Sequence, residues 1–217
     1  AMPHGNMPEF IARLQASGGG RISASCALFA ILCVARGGEV RRAHWKEIEW
    51  GAEGGPVWHV PAAHMKRRKP HEVPLSPAAV RILESLPKGK PGDLIFPTPK
   101  PERESEPISD AGLLKVVQDV WQAIALEDTP AARAVVAKVV LAAQKAKSPL
   151  HALKSKKPKV IKGLDDAEVP AMTLHGTRSS FSDWAQEQTL KLGDGHQIKR
   201  FSEVEVELSL SHAVGDA

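Results

Sequence analysis

The sequence predicts a mainly helical α+β domain with a small antiparallel β-sheet. Apolar residues recur at helical spacing in several segments, whereas only two short segments, 57–62 and 71–76, have the composition of strands. A chain of 217 residues is long enough to bury a substantial core and suits one domain. We therefore expect residues 1–217 to form a single domain.

Two helices are predicted before the strands. Residues 8–16 place Phe10, Ile11 and Leu14 on one helical face, and three glycines follow this segment shortly afterwards. A second helix is predicted from about residue 23 to residue 35. Because it is apolar on nearly all sides, we expect it at the centre of the fold.

The two strands are predicted to form a hairpin that leads into a helix. The segments VWHVPA and HEVPLS are joined by the basic turn HMKRRKP. Ser76 and Pro77 then supply an N-cap and a first helical residue, which together are typical of a helix start. Apolar residues at helical spacing after Pro77 predict the buried side of this helix.

Helical patterns return in the second half of the chain. An amphipathic helix is predicted from Ser109 to about Leu126, and an alanine- and valine-rich helix from about 129 to 147. A basic tract without a clear pattern follows. Further helices are predicted at 175–189 and at 202–211, where Ser202 and Glu205 fit a capping box.

Charge and composition restrict the classes of function. The chain has 29 Lys and Arg against 25 Asp and Glu, a balance that permits an anionic partner without requiring one. No apolar run approaches the ~20 residues of a membrane-spanning helix, and the first residues lack the layout of a signal peptide. We therefore expect a cytoplasmic protein. Cys26 and Cys33 lie in one predicted helix, too far apart for a disulfide.

Five basic side chains, spread along the chain, have the chemistry needed to bind and process one phosphate. They are Arg36, Lys66, His175, Arg178 and His212. A guanidinium donates two parallel hydrogen bonds to phosphate oxygens, so two arginines can neutralise a pentacovalent phosphorane without a metal. Histidine moves protons near neutral pH, and a lysine on a turn can protonate a departing alkoxide.

Five motifs, in this order, resemble the catalytic domain of tyrosine recombinases, in particular the phage- and genomic-island-type integrases. The motifs are ARGGEVRRAHWKEIEW, VPAAHMKRRKPHEVPLSPAAVRILESL, DLIFP, LHGTRSSFSDWAQEQT and SEVEVELSLSHAVGD. The resemblance implies a tyrosine-recombinase-like fold that holds double-stranded DNA in a basic cleft. It also implies strand cleavage and rejoining at attachment sites through a 3′-phosphotyrosyl intermediate, with no cofactor and no metal, by a homo-oligomer assembled on DNA.

The resemblance assigns catalytic roles to three of these positions, Arg36, Arg178 and Lys66, and a supporting role to Glu39. Arg36 and Arg178 correspond to the two arginines that bind the scissile phosphate. Glu39 corresponds to the acidic residue that supports the first arginine. Lys66 corresponds to the lysine of the β-hairpin, which is the general acid for the 5′-hydroxyl leaving group.

The remaining motif residues are assigned to proton transfer and DNA contact. His175 corresponds to the histidine that assists proton transfer, and His212 to the late position that hydrogen-bonds the phosphate. We expect the neighbours of the hairpin lysine, Arg67, Arg68 and Lys69, to contact the DNA backbone or solvent.

Two features depart from the family. The 217 residues contain no tyrosine, although the nucleophile of the family lies shortly beyond the position of His212. We therefore expect a truncated and inactive chain that also lacks the amino-terminal DNA-binding domain. Residues 127–170 are longer than the usual connection, and this insertion would either pack on the domain or a partner, or contact DNA through its lysines.

Two other functions fit parts of the pattern. A chain of the same fold without a nucleophile would act as a DNA-binding regulator that occupies attachment sites without cutting. A metal-dependent nuclease is less favoured because the acidic residues are scattered, and because four histidines show no metal-ligand spacing. These histidines are His44, His59, His64 and His71.

Overall fold

The computed structural model describes residues 3–17, 22–65, 68–103, 105–127, 172–191, 197–202 and 206. The chain divides into two compact units, Ala1–Gln118 with Met172–Ala217, and Asp119–Ala171. Within the second unit the described residues, 119–127, form the end of a helix. The helix predicted at 129–147 and the basic tract after it lie outside the described residues, as does most of 202–211. The predicted single domain with an insertion stays a prediction.

Two helices open the chain, as predicted. Helix α1 is Met7–Ser17 and helix α2 is Ile22–Leu32. Phe29 of α2 is fully buried, and its ring lies 5.4 Å from that of Trp58 and 5.6 Å from that of Phe96. Burial of such a side chain contributes roughly 1.5–3 kcal/mol to folding. Helix α2 therefore lies in the core, where its sequence predicted it.

Three strands form an antiparallel sheet in the order β1-β2-β3. Strand β1 is Ile48–Glu49, β2 is Val57–Val60 and β3 is His71–Pro74. Val60 pairs with His71, so the hairpin predicted around the basic turn is confirmed. Strand β1 was not predicted, because two residues are too few to show the alternation of a strand.

Three further helices belong to the first two-thirds of the chain. They are α3, Gly37–Val40; α4, Pro77–Glu84; and α5, Asp110–Glu127. The hydroxyl of Ser76 accepts a hydrogen bond from the backbone N–H of Ala79 at 3.3 Å, and Pro77 is the first helical residue. The start predicted for α4 is therefore confirmed.

A helix in the last quarter of the chain carries the HGTR motif. Helix α6 is Leu174–Glu187, and the hydroxyl of Thr173 caps it by accepting a hydrogen bond from the N–H of Gly176 at 3.1 Å. Strands β4, Thr189–Lys191, and β5, Gln197–Lys199, then form a two-stranded hairpin. The predicted helix is confirmed, but it ends earlier than expected because this hairpin begins at residue 189.

Two other expectations concern thiols and membranes. Cys26 and Cys33 are free, buried thiols, so the prediction that they form no disulfide is confirmed. Burial raises the pKa of both cysteines well above its ordinary value. Within the described residues, no helix is long and apolar enough to cross a bilayer.

Candidate functional site

Helix α2 ends in a turn that positions Arg36. The N–H of Val34 donates to the carbonyl of Ile31, and the N–H of Ala35 donates to that of Ala30, which is the pattern of a Schellman C-cap. Val34 has a φ of 50°, a left-handed conformation that is unfavourable for a β-branched residue. The helix therefore ends before the residue predicted, and Arg36 continues in an extended conformation.

A buried carboxylate orients Arg36. Glu39 is only 3% exposed, and its Oε1 accepts a hydrogen bond from Nη1 of Arg36 at 2.9 Å. Its Oε2 accepts from the backbone N–H of Arg36 at 2.8 Å. Both carboxylate oxygens therefore bind Arg36, and these two hydrogen bonds offset the free-energy cost of removing the carboxylate from water. The side chain of Arg36 remains 27% exposed and accessible to a ligand.

Arg178 joins this pair from a distant part of the sequence. The residue is 3% exposed, and its Nη1 donates to the carbonyl of Val34, 144 positions earlier. The pKa of Arg178 is lowered to about 10: burial lowers it most, the positive charge of Arg36 also lowers it, and the carboxylate of Glu39 opposes both effects. Arg178 stays protonated near neutral pH. The two predicted catalytic arginines and their acidic partner are therefore close enough to interact electrostatically.

His71 interacts with the same charges, and its part in this group was not predicted from the sequence. It is the first residue of β3 and is partly buried. Burial lowers the pKa of His71; Glu39 raises it, whereas Arg178 and Arg36 lower it. The only sequence signal was its place at the end of the basic turn, which brings this strand end to the carboxyl end of α2.

A cavity of about 350 Å³ lies between the end of α2, strand β3 and helix α6. His71 lines it together with Val34, whose carbonyl binds Arg178, and Phe181 of α6. A larger cavity of about 890 Å³ is lined by residues from 22 to 105 and by none of the described site residues. We therefore place the candidate site at the smaller cavity, beside the paired arginines.

The structure describes only some of the other predicted site residues. His175 is exposed in the first turn of α6, three positions before Arg178. Arg68 and Lys69 are exposed at the end of the basic turn, and Arg68 has a φ of 52°. The predicted positions of Lys66, Arg67 and His212 lie outside the described residues.

The arrangement of charges suits an anion. Two guanidiniums interact with one carboxylate, so positive charge exceeds negative charge among these three groups. An arginine fork held by a carboxylate still has N–H donors directed away from it, which can bind phosphate oxygens. Because Arg178 is largely removed from water, an anion that reached it would interact more strongly than at an exposed arginine.

Two curated proteins share sequence with this chain. A segment of 72 residues, 33% of the chain, is 38% identical to the prophage integrase IntA of Escherichia coli K12. A second match, over 111 residues or 45% of the chain, is 32% identical to the integrase of enterobacteria phage P4. The chain is related to the phage integrases.

The relationship covers only part of each protein. The matches amount to 17% and 24% of the lengths of the two relatives, so the chain matches less than a quarter of either one. No protein-family model matches the chain, and no solved structure matches it significantly. The integrase resemblance predicted from the motifs is confirmed at this level.

Proposed function

We propose that this chain is a catalytic-domain part of a site-specific DNA recombinase of the tyrosine type. The observation that carries the proposal is that Arg178 binds the carbonyl of Val34, two residues before Arg36, where the charges of Arg36 and Glu39 act on it. The similarity to phage integrases supports the same class of enzyme. The α+β architecture with its small antiparallel sheet is compatible with the catalytic fold of that class.

In the proposed reaction, Arg36 and Arg178 bind the non-bridging oxygens of one DNA phosphodiester. A tyrosine hydroxyl attacks phosphorus, the bond to the 5′-oxygen breaks, and the protein becomes esterified to the 3′-phosphate. The two guanidiniums stabilise the additional negative charge of the pentacovalent transition state. Because the ester keeps the energy of the broken bond, the reverse attack by a 5′-hydroxyl rejoins DNA without ATP.

The nucleophile of this reaction would come from outside the present sequence, because the 217 residues contain no tyrosine. Lys66 would give a proton to the departing 5′-oxygen. His175 lies about one helical turn before Arg178 and would assist proton transfer, and His212 would hydrogen-bond the phosphate. These roles rest on the motif resemblance.

Double-stranded DNA is the proposed partner. A basic turn at the end of a β-hairpin projects cations that can follow a phosphate backbone, and Arg68 and Lys69 are exposed there. Such contacts would position the duplex, and the arginine pair would bind the phosphate to be cleaved. Assembly of several protomers on DNA belongs to the same proposal.

The test uses a form of the protein extended beyond residue 217 to include a tyrosine. It is incubated with labelled attachment-site duplex, and covalent protein–DNA product is measured on a denaturing gel in the presence of EDTA. Arg36→Gln and Arg178→Lys should each slow product formation by at least ~100-fold, because each removes one fork that stabilises the transition state. The exposed Arg81→Gln on α4 is the matched control and should react at the normal rate.

The other outcomes decide between the alternatives. Covalent product formed at the normal rate by both site variants would refute the arginine pocket. Cleavage without covalent product that EDTA abolishes would indicate a metal-dependent nuclease. Specific DNA binding without cleavage would indicate a DNA-binding regulator of the same fold.

A further inference from the structure

Two histidines and a glutamate meet at a position separate from the arginine pair. His44 precedes the short 3-10 turn Trp45–Glu47, and His64 ends a second such turn, Ala62–His64. Nδ1 of His44 lies 3.4 Å from Oε1 of Glu47, and Nδ1 of His64 lies 3.6 Å from the same oxygen. One ligand atom from each of the three residues falls within 4.8 Å of the other two.

The contact of His44 with Glu47 is a long hydrogen bond and that of His64 is too long for one, whereas both separations match those between ligands of one metal ion. An N–H···O bond is usually about 2.9–3.0 Å long, which is shorter than either contact. In contrast, ligands about 2.0–2.1 Å from a tetrahedral zinc ion lie roughly 3.3–3.4 Å from one another. Nδ1 of His64 is buried and has no hydrogen-bond partner among the described residues. An ion at the centre of the three atoms would satisfy it.

The glutamate is oriented by a residue of the core. Trp58 is fully buried, and its Nε1 donates to Oε2 of Glu47 at 3.0 Å. This bond fixes the carboxylate so that Oε1 faces both imidazoles. Side chains that bind a metal typically make such a hydrogen bond to a neighbouring residue, which fixes their orientation. Glu47 itself is 5% exposed.

We propose that His44, Glu47 and His64 bind a divalent transition-metal ion of the zinc class, with water as the fourth ligand. Two imidazole nitrogens and one carboxylate oxygen favour such an ion over Mg²⁺ or Ca²⁺, which prefer oxygen ligands. Arg42 and Lys46 add positive charge around the group, which opposes cation binding, so the affinity would come from the direct imidazole and carboxylate ligands. The histidine side chains are 28% and 16% exposed, so an ion can enter from solvent.

An ion bound at this site would connect the β-hairpin that carries the basic turn to the segment before β1. His64 is the first residue of the basic turn, two positions before Lys66, whereas His44 and Glu47 belong to the segment before β1. A shared ion would tie the base of the turn to that segment and restrict its motion. This inference does not depend on the proposed recombinase function, because it rests on the three ligands alone.

The test is zinc binding by the 217-residue protein after removal of metals with a chelator and dialysis. Calorimetric titration with ZnCl₂ should give one site, and X-ray absorption at the zinc edge should show two imidazole ligands. His44→Asn and His64→Asn should each weaken zinc binding by at least ~100-fold, since each removes a direct ligand. MgCl₂ should give no comparable binding.

His59→Asn is the matched control. His59 likewise contacts carboxylates, 2.7 Å from Glu49 and 3.4 Å from Glu72, but its side chain is 43% exposed and each contact uses a different ring nitrogen. This variant should bind zinc like the original protein. Circular dichroism identifies any variant that fails to fold, in which case the other histidine variant and the absorption spectrum decide. The proposal is overturned if zinc does not bind, if both site variants bind it normally, or if the spectrum shows no imidazole pair.

Discussion

The substitution Glu39→Gln measures how much the buried carboxylate holds the arginine pair together. The glutamate accepts two hydrogen bonds from Arg36 and opposes the lowered pKa of Arg178. Glutamine keeps the shape and one carbonyl acceptor but removes the charge. Breaking a buried ion pair costs ~3–5 kcal/mol, and hydrogen bonds to charged groups contribute ~1.5–3 kcal/mol each.

The structure places the expected loss near the lower end of that range. Arg36 is 27% exposed, so water partly solvates its guanidinium once the carboxylate is neutral. Glutamine also retains one of the two acceptors. We expect Glu39→Gln to lower the free energy of unfolding by about 3 kcal/mol, roughly a hundredfold in the unfolding equilibrium.

Urea denaturation followed by circular dichroism measures this difference. The matched control is Glu49→Gln, because Glu49 also pairs with a basic side chain, His59 at 2.7 Å, but is 53% exposed. A pair at the surface contributes ~0–1 kcal/mol, so the control should stay close to the original protein. If Glu39→Gln is as stable as Glu49→Gln, the carboxylate does not brace the arginines and the reasoning is refuted.

Three further predictions test other parts of the fold. Val34→Gly and Val34→Ala both remove the branched side chain, but only glycine relieves the strain of a φ of 50°. In urea denaturation the glycine variant should therefore be more stable than the alanine variant by about 1 kcal/mol. The reverse order would contradict the left-handed cap. Burial lowers the pKa of His71 below its ordinary 6.5, so its neutral form stabilises the fold above that pH and this contribution is lost as the pH falls through the folded-state pKa. His71→Asn should therefore lose less stability than the original protein between about pH 7 and 5 in parallel urea titrations, and equal losses would refute this. Gly89→Ala would place a Cβ 2.9 Å from the side chain of Asp93 and should lower the free energy of unfolding by ~1–3 kcal/mol, which a thermal melt measures. In the control Gly92→Ala, the added Cβ meets nothing within 4 Å in the described part of the chain. Equal melting temperatures for the two variants would contradict the close approach at Gly89.

Patterns with a local cause were predictable from the sequence. The apolar residues of α2, the Ser76–Pro77 start of α4 and the hairpin of β2 and β3 each depend on a few neighbouring residues. Spacing and caps are enough to predict such elements. The pairing of Arg36 with Glu39 was also predicted, from the resemblance of the ARGGEV motif to the family, and the hydrogen bond between the two side chains confirms it.

Features that lack their usual sequence signal, or that depend on distant contacts, were not predictable. The end of α2 is set by a left-handed valine where a glycine is usual, so the sequence carried no stop signal there. The place of His71 beside the arginines depends on the sheet register, in which it pairs with Val60. The meeting of His44 and His64 requires two turns on either side of a strand pair, and no linear spacing describes it.

The central claim is that Arg36 and Arg178 form one site for a tetrahedral anion. The most direct measurement is a crystal structure of the 217-residue protein grown with tungstate, a phosphate analogue whose heavy atom is located by anomalous scattering. We expect a tungstate whose oxygens lie about 2.7–2.9 Å from nitrogens of both guanidiniums. Tungstate bound only at other basic residues, with none between these two arginines, would contradict the account.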